Sequence, residues 1–261
     1  MRRKNNAAQS WLEFSIFDDC PGLTHGVFTR AGGLSGEKGT DLNLAFSEGD
    51  AQEKVRENIA RATAALGLSP AAFVRQTHSD RAAVIRPGDN YHPAAPEDAL
   101  VGYDAMIAPE PGVNFLIKLA DCQGIILFDP RTDMLALVHS GWRGSVQNII
   151  GRTIEEMERL GADPGGLRAG ISPSLGPCCA EFKNYREELP ESFRPFMVKE
   201  NHFDFWAISR SQMTAAGLKP ENIETASICT KCSPDFFSYR GGDVYGRFGI
   251  MAECRKESVN G

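Results

Sequence analysis

Three apolar runs occupy the middle of the chain: VNFLIKL from Val113, GIILF from Gly124 and MLALVH from Met134. The polar breaks ADCQ and DPRTD separate them, and SGWRG closes the third. Short runs rich in aliphatic residues and bounded by turn formers predict buried strands. After SGWRG the period changes. Val146, Ile149, Ile150, Ile154, Met157 and Leu160 recur at the spacing of one helix face, with Gly161 as the stop, so one helix is expected over 146–160. Cys122 falls in the break after the first run, and His139 ends the third.

The flanking regions show the same alternation. WLEFSIF (11–17) and HGVFTR (25–30) predict two strands, followed by the glycine-rich stretch AGGLSGEKGTDLNL. Its glycines suit a flexible turn or a backbone that approaches a ligand closely. It lacks the Lys-Ser/Thr ending of a P-loop. Arg30, at its mouth, reads either as a surface ion pair or as an anion holder. Asp50 and Glu53 stand at capping-box spacing before a helix carrying Val55, Ile59, Ala62 and Leu66 and stopped by Gly67. FVRQ (73–76) and AAVI (82–85) predict strands joined by THSD, which holds His78. From Tyr91 to Pro111, prolines surround a short strand, DAMIA, and the segment reads as a surface connection that covers a site. LRAGI predicts another strand before a turn with Pro173, Gly176 and Pro177. Asp204 is the expected cap of a last helix bearing Trp206, Ile208 and Met213 and ending at Gly217. IETASI, CTKC, FFSYRGGDVYGRFG and a final short strand complete the chain, without internal repeats.

Composition narrows the class. In 261 residues, 42% are hydrophobic and 24% charged, enough apolar material for one folded domain spanning 1–261. A formal charge of -6 argues against a surface built to coat nucleic acid. MRRKNNAAQS is basic, but WLEFSIFDDC follows it in place of an apolar signal region, and no run reaches the length of a membrane span. The seven cysteines are scattered and odd in number, unlike a secreted disulfide framework. A cytoplasmic protein with reduced thiols, no nucleic-acid partner and no membrane partner is expected; oligomeric state is not legible.

The candidate chemistry is sparse. Of five histidines, His25, His78, His92, His139 and His202, two lie at polar ends of strands, as Cys122 does. Imidazole and thiolate together suit zinc or copper, and three protein ligands leave a fourth position for water. From spacing alone, a shared site and unrelated core or surface roles both stand. Cys229 and Cys232 of CTKC have no second CxxC or His pair to complete four ligands, so they read as a reduced structural pair, with a redox pair as the alternative. Cys178 and Cys179 read as small buried thiols in a Pro/Gly turn. Trp142 reads as packing and Arg143 as surface charge, or both as the border of a pocket. No GxSxG elbow is present.

The order of HGVFTRAGGLS, LNLAF, QTHSD, LADCQGIILFD, VHSGWRGS, SLGPCC and FFSYR resembles the multicopper polyphenol oxidoreductase, or laccase-domain, family from about His25 to Gly249. That family is associated with purine nucleoside phosphorylase and adenosine deaminase activity and, in bacteria, with peptidoglycan editing. The resemblance implies an α+β fold, a single domain of mixed β-sheets flanked by helices, the laccase-domain (YfiH-like) fold. It also implies that His78, Cys122 and His139 bind zinc, with copper as the alternative, and form the catalytic site. Arg30, Asn43, Gln76 and Arg143, in the matching motifs, are the expected substrate-binding residues for a purine nucleoside and phosphate. A cell-wall amidase with Cys122 as nucleophile and a metal-binding protein are the alternative functions. Ser140, Ser172 and Ala180 depart from the family pattern, the last two with expected consequences for the substrate pocket. The laccase label meets a physical obstacle, because a multicopper oxidase needs far more imidazoles than five, usually in His-x-His pairs. One metal site is what these donors can build, with copper-dependent phenol oxidation at most a side activity.

Overall fold

Every residue of Gln123–Asp129 and Met134–Ser140 is buried, so these strands must be covered on both faces. The computed structural model describes residues 1–46, 49–89 and 99–256. Its strands are β1 Arg2–Asn5, β2 Ser10–Glu13, β3 Leu23–Phe28, β4 Ala31–Ser35, β5 Ala71–Ala72, β6 Ala82–Val84, β7 Ala105–Ala108, β8 Asn114–Leu119, β9 Gln123–Asp129, β10 Met134–Ser140, β11 Arg168–Ile171, β12 Met197–Lys199, β13 His202–Phe203, β14 Ile223–Thr225 and β15 Phe248–Cys254. The helices are α1 Gln52–Ala65, α2 Trp142–Val146, α3 Ile149–Arg159, α4 Tyr185–Glu188 and α5 Phe205–Ala215. Two six-stranded sheets form, ordered β1-β2-β3-β15-β8-β5 and β14-β11-β9-β10-β7-β6. Both are mixed, because β5 runs parallel to β8, β6 to β7 and β11 to β14 within otherwise antiparallel ladders.

The period of two along each strand divides its side chains between layers. Phe115, Ile117 and Leu119 of β8 meet Ile126 and Phe128 of β9 and Leu135 and Leu137 of β10 between the sheets. Ile125, Leu127, Ala136 and Val138 point the other way, onto Ile150, Ile154 and Met157 of α3 and Met213 of α5. On the outer face of the first sheet, Leu116 and Met251 pack with Ala62 of α1. The result is two sheets face to face with helices outside both, which is why the central runs read as continuous apolar stretches.

The expected strands at VNFLIKL, GIILF and MLALVH form, as does the Asp204 cap, whose Oδ1 accepts the Ala207 N–H at 3.0 Å. Several local readings are corrected. WLEFSIF gives a strand only to Glu13 and then a 3-10 turn over Ser15–Phe17. The Asp50–Glu53 capping box does not form: Ala51 is the N-cap of α1, and Asp50 accepts from Asn43 Nδ2 at 2.8 Å. Only Ala71 and Ala72, just before FVRQ, join the ladder as β5. The helix expected over 146–160 begins only at Ile149, as α3; Val146 instead ends α2, which forms over residues read as a turn, and Asn148 separates the two. Residues 91–98 of the proline-rich connection, His92 among them, lie outside the described residues. Among those described, no helix is long and apolar enough to cross a membrane.

Candidate functional site

His139 is the last histidine-bearing position of a central strand, β10, and is buried. Its Nδ1 lies 2.8 Å from Oδ1 of Asp104, the fully buried residue just before β7, and its own N–H donates to the Asp104 carbonyl at 2.7 Å. The same carboxylate accepts the backbone N–H groups of Thr77, His78 and Ser79 at 3.1, 3.0 and 2.6 Å. Three successive amides turned onto one anion hold His78 at φ 61, a left-handed conformation that a non-glycine residue adopts only when its surroundings impose it. Asp104 therefore fixes both histidines, one through its ring and the other through its backbone.

Cys122 is presented by the β8–β9 connection. Asp121, at φ 80, accepts the Thr230 and Ser238 hydroxyls and the Arg240 N–H, each at 2.7 Å, and its carbonyl accepts from Leu175 at 2.8 Å. With that turn anchored, Cys122 Sγ sits 3.8 Å from His78 Nε2, and the His78 and His139 rings lie 4.9 Å apart. The donor atoms of His78, Cys122 and His139 all fall within 4.8 Å of one another. Gly141 permits the approach: a Cβ there would meet His78 Cδ2 at 2.7 Å and Cys122 Sγ at 3.0 Å.

The electrostatics suit a cation. Burial opposes ionisation of the Cys122 thiol, but the charge and hydrogen bond of His139, with His78 assisting, bring it down to about 6. Burial likewise works against a charged His139, yet the Cys122 thiolate and Asp104 lift it to about 9. Asp104, despite its burial, is held below the usual carboxylate range by His139 and Ser79. Two imidazoles and a thiolate, with a carboxylate behind one imidazole, are donors that could hold a metal ion, with an outer partner that fixes the ring tautomer.

The triad lies in the wall of a cavity of about 990 Å³. Gln76 and Arg143, the residues expected to bind substrate, also line it. Gln76 pairs through both ends of its amide with the backbone of Lys118, and the Arg143 guanidinium lies 4.2 Å over the Trp142 ring. Arg30 and Asn43 are not among the lining residues. Arg30 is tied to Asp41 at 2.9 Å and Asp243 at 3.3 Å, so its charge is already answered. The glycine-rich stretch closes on its own backbone: a Cβ at Gly33 would meet the Asp41 carbonyl at 2.2 Å, and the close approach is not to a ligand. Asn43 acts one step back, accepting the N–H of Arg247, which does line the cavity. Ser172 and Ala180 are buried away from the lining, Ser172 accepting the Gly124 N–H at 2.9 Å.

Sequence reasoning missed Asp104 and Lys118. Each was the lone charge at or in an apolar strand, GYDAMIA and VNFLIKL, and a charge placed there needs a reason. Lys118 Nζ donates to the Val74 carbonyl at 2.9 Å and lies 4.4 Å from the Phe73 ring centre. Burial pushes its amine down to about 7, with the Asp104 charge offsetting part of the effect.

The family model described as multi-copper polyphenol oxidoreductase laccase matches residues 24–254, a span that contains the whole triad. The chain belongs to this family. Within reach of it, a purine nucleoside phosphorylase of Bacteroides thetaiotaomicron is 32% identical over 88% of this chain and 90% of its own length. Adenosine deaminase RL5, from an unknown prokaryotic organism, is 33% identical over 76% of this chain and 81% of its own. The crystal structure of YlmD from Geobacillus stearothermophilus superposes with a TM-score of 0.85 at 24% identity, covering 97% of this chain and 99% of that one. That likeness establishes the family fold, mixed sheets with few helices.

Proposed function

We propose that this chain catalyses phosphorolysis of purine nucleosides, namely adenosine, inosine or methylthioadenosine, as one catalytic unit over residues 1–261. The observation that carries this reading is the charge of the cavity wall. Among the described residues, Arg75, Lys118, Arg143, Arg240 and Arg247 line it against one carboxylate, that of Asp121, whose oxygens are already engaged. Such a wall suits a second, anionic substrate, which deamination by water does not require. The relatives named for phosphorylase and deaminase activity support the same substrate class.

In this reading the arginines hold phosphate for attack on the anomeric carbon. As the new C–O bond forms, the glycosidic C–N bond breaks and its electron pair passes to the purine. The leaving base needs a proton, and an amine that titrates near 7 is suited to give one, so Lys118 is the assigned donor. Phe46, Phe73 and Trp142 line the cavity and give the base an aromatic wall. His78, Cys122 and His139 would hold zinc, with copper as the alternative; an ion bound there would supply Lewis acidity, the chemistry that adenosine deamination also uses.

One observation favours a second reading. Cys122, His139 and Asp104 stand in the order of a thiol nucleophile, its base and the carboxylate that orients it, which fits amide hydrolysis of a cell-wall precursor.

The test is product analysis by mass spectrometry with adenosine, inosine and methylthioadenosine, with and without phosphate, beside Cys122→Ala. Free base and the matching sugar 1-phosphate (ribose 1-phosphate, or its 5-methylthio analogue from methylthioadenosine) should appear only with phosphate and fall by roughly 10²-fold or more in the variant. Because Lys118 acts as an acid, kcat should decline as pH rises through about 7, and Lys118→Met should remove that limb. Inosine formed from adenosine without phosphate would assign deamination instead. No nucleoside conversion, with chelator-resistant amide hydrolysis, would replace the reading with the thiol mechanism.

A further inference from the structure

Cys178 and Cys179 are separated from Cys229 and Cys232 by some fifty residues of sequence, yet the four sulfurs all lie within 4.8 Å of one another. Cys232 Sγ is 3.5 Å from Cys179 Sγ and 3.7 Å from Cys178 Sγ. This overturns the reading of CTKC as an isolated pair and of the vicinal cysteines as plain turn residues: each pair completes the other. We propose that these four thiols bind one structural zinc ion, separate from the His78/Cys122/His139 centre and independent of the reaction assigned there.

The spacing is that of a mononuclear site. Four sulfurs at about 2.3 Å from one ion sit about 3.8 Å apart at the corners of a tetrahedron. The separations of 3.5 and 3.7 Å fall just inside that edge and no two of the four sulfurs lie more than 4.8 Å apart, whereas a four-iron cluster would hold its sulfurs further apart. All seven cysteines of the chain are free thiols. Two buried core cysteines, Cys20 and Cys254, belong to the inter-sheet layer and take no part.

The backbone brings the two turns together without help from the ion. Ser174 and Cys229 form a parallel bridge, with Ser174 N–H donating to the Ile228 carbonyl at 3.1 Å and Thr230 N–H to the Ser174 carbonyl at 3.0 Å. Within each turn the chain folds back on itself: Cys179 and Ala180 donate to the Gly176 carbonyl, and Cys232 and Ser233 to that of Cys229. Gly176 allows the contact, since a Cβ there would lie 3.0 Å from Cys229 Cβ and 2.9 Å from the Trp206 ring. The four ligands are therefore arranged before a cation arrives. Binding releases the thiol protons and ties together two loops far apart in sequence, the kind of closure that costs a flexible chain entropy. Thr230, inside the CTKC turn, and Leu175, just before GPCC, both hydrogen-bond Asp121, so the bound ion would stiffen the turn that presents Cys122.

The experiment uses the full-length Cys122→Ala protein, which lacks one ligand of the other centre, titrated with Co²⁺ and then Zn²⁺ under a reductant. Binding of about one Co²⁺ per chain with intense thiolate-to-metal absorption and the strong visible bands of a tetrahedral tetrathiolate site is expected, displaced by Zn²⁺. Adding Cys229→Ser and Cys232→Ser should abolish those bands. Should that variant fail to fold, alkylation of the wild-type protein reads the same sulfurs: Cys178, Cys179, Cys229 and Cys232 should be protected in the zinc-loaded form and react after chelation. Equal alkylation rates in both forms, absence of the tetrathiolate spectrum, or isolation of the four residues as disulfides would overturn the proposal.

Discussion

Gly141 shows how one missing methyl group governs the site. Its φ of -82° and ψ of 177° are open to alanine, so Gly141→Ala strains no backbone angle, yet the added carbon would press on His78 and Cys122 together. Both must retreat, and a displacement of even an ångström in a ligand or catalytic group costs on the order of 10²-fold in rate. The variant is expected to melt within a few degrees of the parent while its zinc content and nucleoside turnover collapse together; metal analysis beside a thermal melt checks this, and a fully loaded, active variant would refute it. Residues of this kind were only partly legible. Spacing alone left His78, Cys122 and His139 unjoined; it was the resemblance of the motifs QTHSD, LADCQ and VHSGWRG that put them, with Gln76 and Arg143, at one site. Asp104 was missed because its role depends on three amides in another loop, and the four-cysteine cluster because its halves meet only in the folded chain. Arg30 looked suited to an anion because its partners, Asp41 and Asp243, are set by the fold; Asp243 is brought to it from the far end of the sequence.

The α2–α3 corner carries the clearest lesson among the elements. Val146, Ile149 and Ile150 keep helical spacing across the break, so periodicity reads straight through it. What ends α2 is Asn148, at φ 58, whose side chain then caps α3 by accepting the Gly151 N–H at 3.3 Å. Asparagine tolerates the left-handed region better than other residues with a Cβ, and it is a strong N-cap. Asn148→Ala loses both features and should destabilise the protein by about 1–3 kcal/mol, while Asn148→Gly, which keeps the backbone freedom, should cost only a fraction of that. Urea unfolding midpoints of the two variants measure the difference, and equal midpoints would contradict the capping account. Strand legibility follows a similar rule. β8, β9 and β10 are buried on both faces and their sequences say so, whereas β15 seemed only a short final strand. FGIMAEC is broken by Gly249 and Glu253, and its place between β3 and β8 comes from pairing with residues far away in the chain.

At the scale of the molecule, acid stability should be set by a histidine outside the site. His25 lies on β3 within reach of the Phe14 and Phe17 rings, with centroids 5.8 and 5.1 Å away, and its Nε2 accepts the Phe14 N–H at 2.8 Å. That bond requires an unprotonated nitrogen. Burial, reinforced by the charge of Arg2, lowers its pKa from 6.5 to about 4. In the unfolded chain the imidazole titrates near its ordinary value, so between those limits the unfolded state binds more protons and stability rises with pH. The contribution is complete above about 6.5 and is lost as pH falls towards 4, about 3 kcal/mol across the window at 1.36 kcal/mol per unit. The other shifted groups change elsewhere. The raised His139 stabilises at low pH and loses its effect as pH climbs through about 9; the lowered Cys122 contributes at high pH and has lost its effect by about 6. Asp104 begins to matter only below the ordinary carboxylate value of 3.8. Urea unfolding at pH 6 and pH 4, compared between the parent and His25→Gln, isolates the effect, because the glutamine amide can accept the same N–H and does not titrate. The parent should lose roughly 2–3 kcal/mol more than the variant over this interval, and parallel losses would mean that the core tolerates a charged His25.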